Sequence, residues 1–209
     1  MIRMPKTVSP QATLLALALA TTLPAFAQDA AKPAAPPEMS AEQKAMMEAY
    51  QKAGAVGEAH AALKKTEGDY DLVIKSWEGP GEPMVEKGKA SRKMILGGRV
   101  MAEHVESQMH GQPFQGHGMH GYDNVSGRHW STWNDSMSTG VMVSDGTCDA
   151  AGTCAFTGSW NDPVGKGKIT ARMTSRWTDE NTEVFEMYTP GPDGKEMKMM
   201  EITYTRRAK

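Results

Sequence analysis

The stretch MHGQPFQGHGMHGYDNVSGRHWSTWNDSMSTG, residues 109–140, decides the fold. It reads as two β-strands, Phe114 to Tyr122 and Arg128 to Asp135, around a turn at Asp123-Asn124-Val125-Ser126-Gly127. It also holds four of the six His and two of the five Trp, so it is the first place to look for a site. Its glycines suit a strand that must coil sharply, as in a closed barrel.

The same period-2 pattern extends outward in both directions. Upstream, Asp69 to Trp77 puts Tyr70, Leu72 and Ile74 on one face and Asp71, Val73 and Lys75 on the other. GPGEP at 79–83 is a turn, and Val85 to Leu96 and Arg99 to Met109 are further strands around Gly97-Gly98. Downstream, Gly140 to Cys148 and Cys154 to Trp160 form a hairpin. Lys168 to Trp177, Glu183 to Tyr188 and Glu196 to Arg206 follow, with turns at 178–181 and 190–194. About ten short strands with short connections predict an all-β antiparallel barrel over residues 67–209. A barrel is favoured over a sandwich because closure removes the exposed edges.

The segment before residue 67 has a different character. Arg3 and Lys6 precede an apolar run, Ala12 to Leu23, and Pro24-Ala25-Phe26-Ala27 ends in a small-x-small cleavage pattern. Residues 1–27 are therefore read as a cleavable signal peptide, which directs the chain to the periplasm or outside the cell. The run is too short for a membrane span, and no Cys lies near the cleavage point to carry a lipid anchor. Residues 28–38 are a Pro/Ala linker too poor in apolar groups to offset chain entropy. In 39–66, Ser40 and Gln43 make a capping box for a helix over Ala41 to Ala53, and Glu58 to Lys65 is a second short helix. Both have thin apolar stripes and are expected to pack weakly on the barrel. Lys and Arg number 23 against 25 Asp and Glu, and the signal segment takes two of the bases, so nothing favours nucleic-acid binding.

The candidate residues divide by chemistry. Cys148 and Cys154 flank a five-residue turn, and export favours their joining as a disulfide; the spacing does not fit a C-x-x-C redox motif. His110, His117, His120 and His129, with Met101, Met109 and Met119 nearby, are a candidate Cu or Zn site, imidazole and thioether being suitable donors. Alternation opposes it: His117 shares a face with Gln115 and Met119, while His120 shares one with Phe114, Gly116, Gly118 and Tyr122. Tyr122, Trp133 and Asp135, with Met187, are the candidate ligand-binding residues. An inward Asp must be paired, as an anchor or as part of a site. Met187, Met197, Met199 and Met200 either fill the core or line an adaptable lumen. Glu103, Glu186 and Glu201 are candidate lumen carboxylates with Arg92 and Arg172 as partners; two facing carboxylates would permit acid–base chemistry. No nucleophile elbow, phosphate loop or dinucleotide fingerprint is present.

Several segments together resemble one known family. Gly68-Asp69-Tyr70, Arg92 to Arg99 (RKMILGGR), Gly111-Gln112-Pro113-Phe114, Gly121-Tyr122-Asp123-Asn124, Trp133 to Met137 (WNDSM), Phe185 to Tyr188 (FEMY) and Gly191 to Glu196 (GPDGKE) are similar to the exported bacterial proteins of unknown function designated DUF1579. The resemblance runs from about His60 to Arg206 and implies a calycin or lipocalin-like barrel. His117 and His120 depart from the family pattern, where apolar residues are usual, as do the Cys pair and the extra N-terminal helix. The resulting expectation is a non-enzymatic binder of one small, largely apolar molecule, with no cofactor. The alternatives are periplasmic metal binding through 101–129 and an enzyme using lumen carboxylates.

Overall fold

The computed structural model describes residues 38–165, 167–191 and 194–208. The expected signal segment, nearly all of the linker, and Pro192 and Asp193 of the last turn lie outside the described residues. Among the described residues two helices precede ten strands. They are α1 (Ala41–Ala53), α2 (Glu58–Lys65), β1 (Gly68–Ser76), β2 (Met84–Ile95), β3 (Val100–Met109), β4 (Gln112–Asp123) and β5 (Arg128–Asp135), then β6 (Met142–Cys148), β7 (Cys154–Asn161), β8 (Lys168–Trp177), β9 (Thr182–Pro190) and β10 (Glu196–Arg206). Each strand is antiparallel to the next, and β1 pairs with β10 as well as β2, so the sheet closes as an up-and-down barrel. The architecture is the barrel, not the sandwich.

Alternation turns one face of each strand into the barrel. Tyr70, Leu72, Ala90, Val105 and Tyr204 form one buried cluster, and Ala171, Met173 and Met187 a second. Their burial draws on about 25 cal/mol per Å² of apolar surface removed from water. The glycines of β4 have a more specific reason than coiling. A Cβ on Gly116 would lie 2.2 Å from Cζ2 of Trp133, and one on Gly121 would lie 2.4 Å from Trp130. Two indoles from β5 therefore lie against bare backbone, Trp133 inside the barrel and Trp130 outside it.

Turn chemistry sets the register. The β3–β4 hairpin has the two-residue loop His110-Gly111, both at positive φ (52° and 73°), the twist that such loops require. In the β4–β5 turn the Asp123 carboxylate accepts from the backbone N–H of Val125 at 2.9 Å and of Ser126 at 3.2 Å. The β6–β7 hairpin is closed by the Cys148–Cys154 disulfide, with Cα atoms 4.0 Å apart. A register shift between Lys198 and Met200 in β10 lets Met199 stand outside the ladder.

α1 has its capping box, with Ser40 N–H donating to Gln43 Oε1 at 2.8 Å and Gln43 N–H to Ser40 Oγ at 3.2 Å. It buries no residue. It is tied to the barrel at its C-terminus, where Asn124 Nδ2 donates to the carbonyls of Ala53 and Ala55 (3.0 and 2.7 Å) and Arg99 Nε to that of Gly54 (2.9 Å). α2 packs on β3 and β4 through His60, which is 3 % exposed and meets the Tyr122 ring edge-on at 5.9 Å. No helix among the described residues is long and apolar enough to cross a membrane.

Candidate functional site

The lumen is not packed solid. It encloses a cavity of about 1120 Å³, larger than the usual range for small-molecule pockets. One end is framed by α2, the disulfide hairpin and the β8–β9 turn, and the other by β2, β3 and β10. Its middle is apolar: Phe156, Met173, Phe185, Met187, Met200 and Ile202 line it, and Trp133 flanks them. The inward methionines are thus both core and cavity wall, and their flexible thioethers suit a wall that adapts.

A buried ionic cluster forms the polar part of this wall. Arg92 on β2 donates Nε to Glu103 Oε1 on β3 at 2.8 Å and Nη1 to Glu183 Oε2 on β9. The side chains of Arg92 and Glu103 are 9 % and 3 % exposed. His120 on β4 lies 3.2 Å from the second Glu103 oxygen. The guanidinium also sits 4.3 Å above the Tyr204 ring and 5.1 Å above that of Tyr70, both cation–π distances. Burial alone would raise the Glu103 pKa, but the Arg92 charge and the His120 hydrogen bond outweigh it and hold the carboxyl at about 2. Burial would lower the Arg92 pKa, and the two carboxylates instead carry it well above its ordinary value. Burial, then the Glu103 charge, pushes the Tyr204 phenol far up. The cluster is therefore ionised at its carboxylate and guanidinium and neutral at its phenol throughout the physiological range. Arg206 adds a second cation nearby, 5.0 Å from the Tyr70 ring, with its donors on the carbonyls of Lys65 and Glu67.

The sequence-predicted residues divide accordingly. Tyr122, Trp133, Asp135 and Met187 all line the cavity. They do not form one constellation, because Tyr122 faces His129 and Asp135 faces Gly116 across β4 and β5, about 20 Å apart along the sheet. Tyr122 packs edge-on against His60 and His129 beneath α2. Asp135 accepts from Trp133 Nε1 and from the Met137 N–H, both at 3.0 Å, and so anchors the indole and the end of β5.

Of the carboxylates, Glu103 is in the lumen with Arg92, as expected. Glu186 and Glu201 are not, and neither is Arg172. Glu186 alternates with the inward Phe185 and Met187, so it must point outward. There it pairs with Arg176 (3.0 Å) and Lys198, which also reaches Glu201 at 2.8 Å. Arg172 is outside too, bidentate on Glu196 at 2.8 and 2.7 Å and 4.2 Å from the Tyr188 ring. The residue that sequence reasoning missed is Glu183. Its spacing from Phe185 and Met187 already placed it on the inward face.

The four imidazoles do not converge. His110 is a turn residue beside Glu78 (3.3 Å). His117 points outward, His120 belongs to the ionic cluster, and His129 packs on Tyr122, its pKa lowered by burial and then by His60. Among the described residues no group of three or more His, Cys, Asp or Glu is disposed to hold a metal ion.

The chain matches the family described as "Protein of unknown function (DUF1579)" over residues 55–206. It belongs to that family. No curated protein matches the chain. Among solved structures, this DUF1579 barrel is similar to Rv2717c from M. tuberculosis, with a TM-score of 0.57 and 11% identity over 74% of this chain and 100% of that one. It is also similar to the S-type phycobiliprotein lyase CPES from Guillardia theta, with a TM-score of 0.53 and 8% identity over 73% of this chain and 94% of that one. At these identities the likeness is one of fold, the calycin-like barrel.

Proposed function

We propose that this protein is an exported, non-enzymatic binder that holds one small, largely apolar molecule in its barrel lumen. The observation that carries the reading is the cavity of about 1120 Å³, apolar along its middle and polar at Arg92, Glu103, Glu183 and His120. Such a lumen suits a ligand with an apolar body and one polar end. The barrel neighbours, one of them the phycobiliprotein lyase CPES, support the choice of a lumen-bound small molecule. Acid–base catalysis is less well supported: both Glu103 oxygens are engaged, and at a pKa of about 2 it has no proton to give near neutrality. Export rests on the signal pattern of residues 1–27, and the mature chain is expected to begin at Gln28.

The test is displacement of a neutral fluorescent naphthylamine probe from the purified protein. Saturable 1:1 binding is expected, and Met173→Trp, which fills the middle of the cavity, should weaken it at least tenfold with the far-ultraviolet spectrum unchanged. Absence of saturable binding, or binding untouched by a filled lumen, refutes the reading. N-terminal sequencing of protein recovered from outside the cytoplasm tests export, and an intact Met1 would refute it.

A further inference from the structure

The outer wall carries a pair of groups that the lumen does not use. His104 on β3 and His117 on β4 are directly opposed in the antiparallel register. Both point away from the lumen. Their rings lie 4.4 Å apart between centroids, and His104 Nδ1 is 3.1 Å from His117 Nε2. The other ring nitrogen of His104, Nε2, lies 3.3 Å from Glu106 Oε1 on the same face of β3. A carboxylate can only accept, so neutral His104 keeps its proton on Nε2 and presents the bare Nδ1 lone pair to His117. This is the arrangement in which a carboxylate bonded to the far ring nitrogen fixes the tautomer of a metal-ligating imidazole.

We propose that His104 Nδ1 and His117 Nε2 together bind one divalent transition-metal ion, Cu(II) or Zn(II), on the outer face of β3 and β4, with Glu106 orienting His104 and solvent completing the coordination. Two nitrogens bonded to one such ion at 2.0–2.1 Å are about 2.8–3.4 Å apart for bond angles between square and tetrahedral. The observed 3.1 Å lies inside that interval, so the ion needs little rearrangement. On binding, His117 moves its proton from Nε2 to Nδ1 through solvent, so both facing nitrogens donate lone pairs and each ring stays neutral. His117 is exposed and the His104 side chain is 34 % exposed, so an ion has direct access. The residues directly in register, Ser91 on β2 and Asn134 on β5, are uncharged, and the nearest β2 cations on that face, Lys89 and Lys93, stand opposite Glu106 and Ala102. Imidazole pairs favour Cu(II) over Zn(II). Of the four imidazoles singled out in the sequence the site uses only His117, and it adds His104.

The experiment is calorimetric titration of the untagged protein with CuCl2 and with ZnCl2 at neutral pH. One equivalent is expected, with Cu(II) the tighter. His104→Ala and His117→Ala should each weaken binding at least tenfold, and Glu106→Gln about tenfold, while His110→Gln leaves it unchanged. The Cu(II) electron paramagnetic resonance spectrum should show two equatorial nitrogens. Because both His are on the surface, the variants should keep the parent melting temperature. No binding, or binding that survives both alanine substitutions, overturns the proposal.

Discussion

Arg92 is held by two carboxylates from different strands, and the energetic consequences are specific. Removing the cation leaves Glu103 and Glu183 facing each other without a counter-charge in the barrel wall. Arg92→Met is therefore expected to destabilise the protein by about 3–5 kcal/mol in urea unfolding. The triple replacement Arg92→Met, Glu103→Leu, Glu183→Leu should lose less than Arg92→Met alone, because no unpaired charge remains buried. The same cluster sets a pH dependence. Glu103 has its pKa lowered from 4.5 to about 2 on folding, so its contribution is full above pH 4.5 and declines as the pH falls towards 2. That difference is worth about 3 kcal/mol. His129 is also depressed by burial, so it adds a milder loss as the pH falls below 6.5. Urea midpoints measured between pH 7 and 2.5 should fall on both accounts in the parent, and Glu103→Gln should make the acid decline shallower.

At the scale of single elements, β4 and β5 work as a unit because indoles of β5 occupy space that side chains on β4 would fill. Gly116→Ala places a methyl group within the Trp133 ring, so the indole must move and its bond to Asp135 is lost. A loss of about 1–3 kcal/mol is expected, with a weakened near-ultraviolet circular dichroism signal. The disulfide closes the short β6–β7 loop, so Cys148→Ser with Cys154→Ser should cost about 2–3 kcal/mol by thermal unfolding. α1 is different, being held by its last carbonyls rather than by a buried face. Asn124→Ala should speed amide hydrogen exchange over residues 41–53 and leave exchange in β1 to β10 as it was. Slow exchange persisting in α1 would show that some other contact holds it.

For the whole molecule, closure is what turns alternation into function. Ten strands with one inward face each enclose a space rather than meet a second sheet, and the space is left partly unfilled by glycine, alanine and flexible methionine. Ligand binding should stabilise the barrel by mass action, so a saturating apolar ligand at 100 times its dissociation constant should add about 2.7 kcal/mol. A rise in melting temperature with the naphthylamine probe, absent in Met173→Trp, is the expected outcome at this scale.

Much of this was readable before any coordinates. The ten strands, their turns, the capping box of α1, and the inward faces of Tyr70, Leu72, Glu103, His120 and Trp133 all follow from local chemistry and the period-2 rule, which act within a few residues. The outward direction of Glu186 was implied by the inward Met187 beside it, and the inward direction of Glu183 by the same step. What the sequence could not determine is which inward residues meet. Arg92, Glu103 and Glu183 come from β2, β3 and β9, and only closure of β1 on β10 brings β9 round to β2. The separation of Tyr122 from Asp135, and the meeting of His104 with His117, are likewise matters of register between strands. Local pattern decides the face of each side chain, but its partner across the barrel depends on strand stagger and closure, which only the tertiary structure sets.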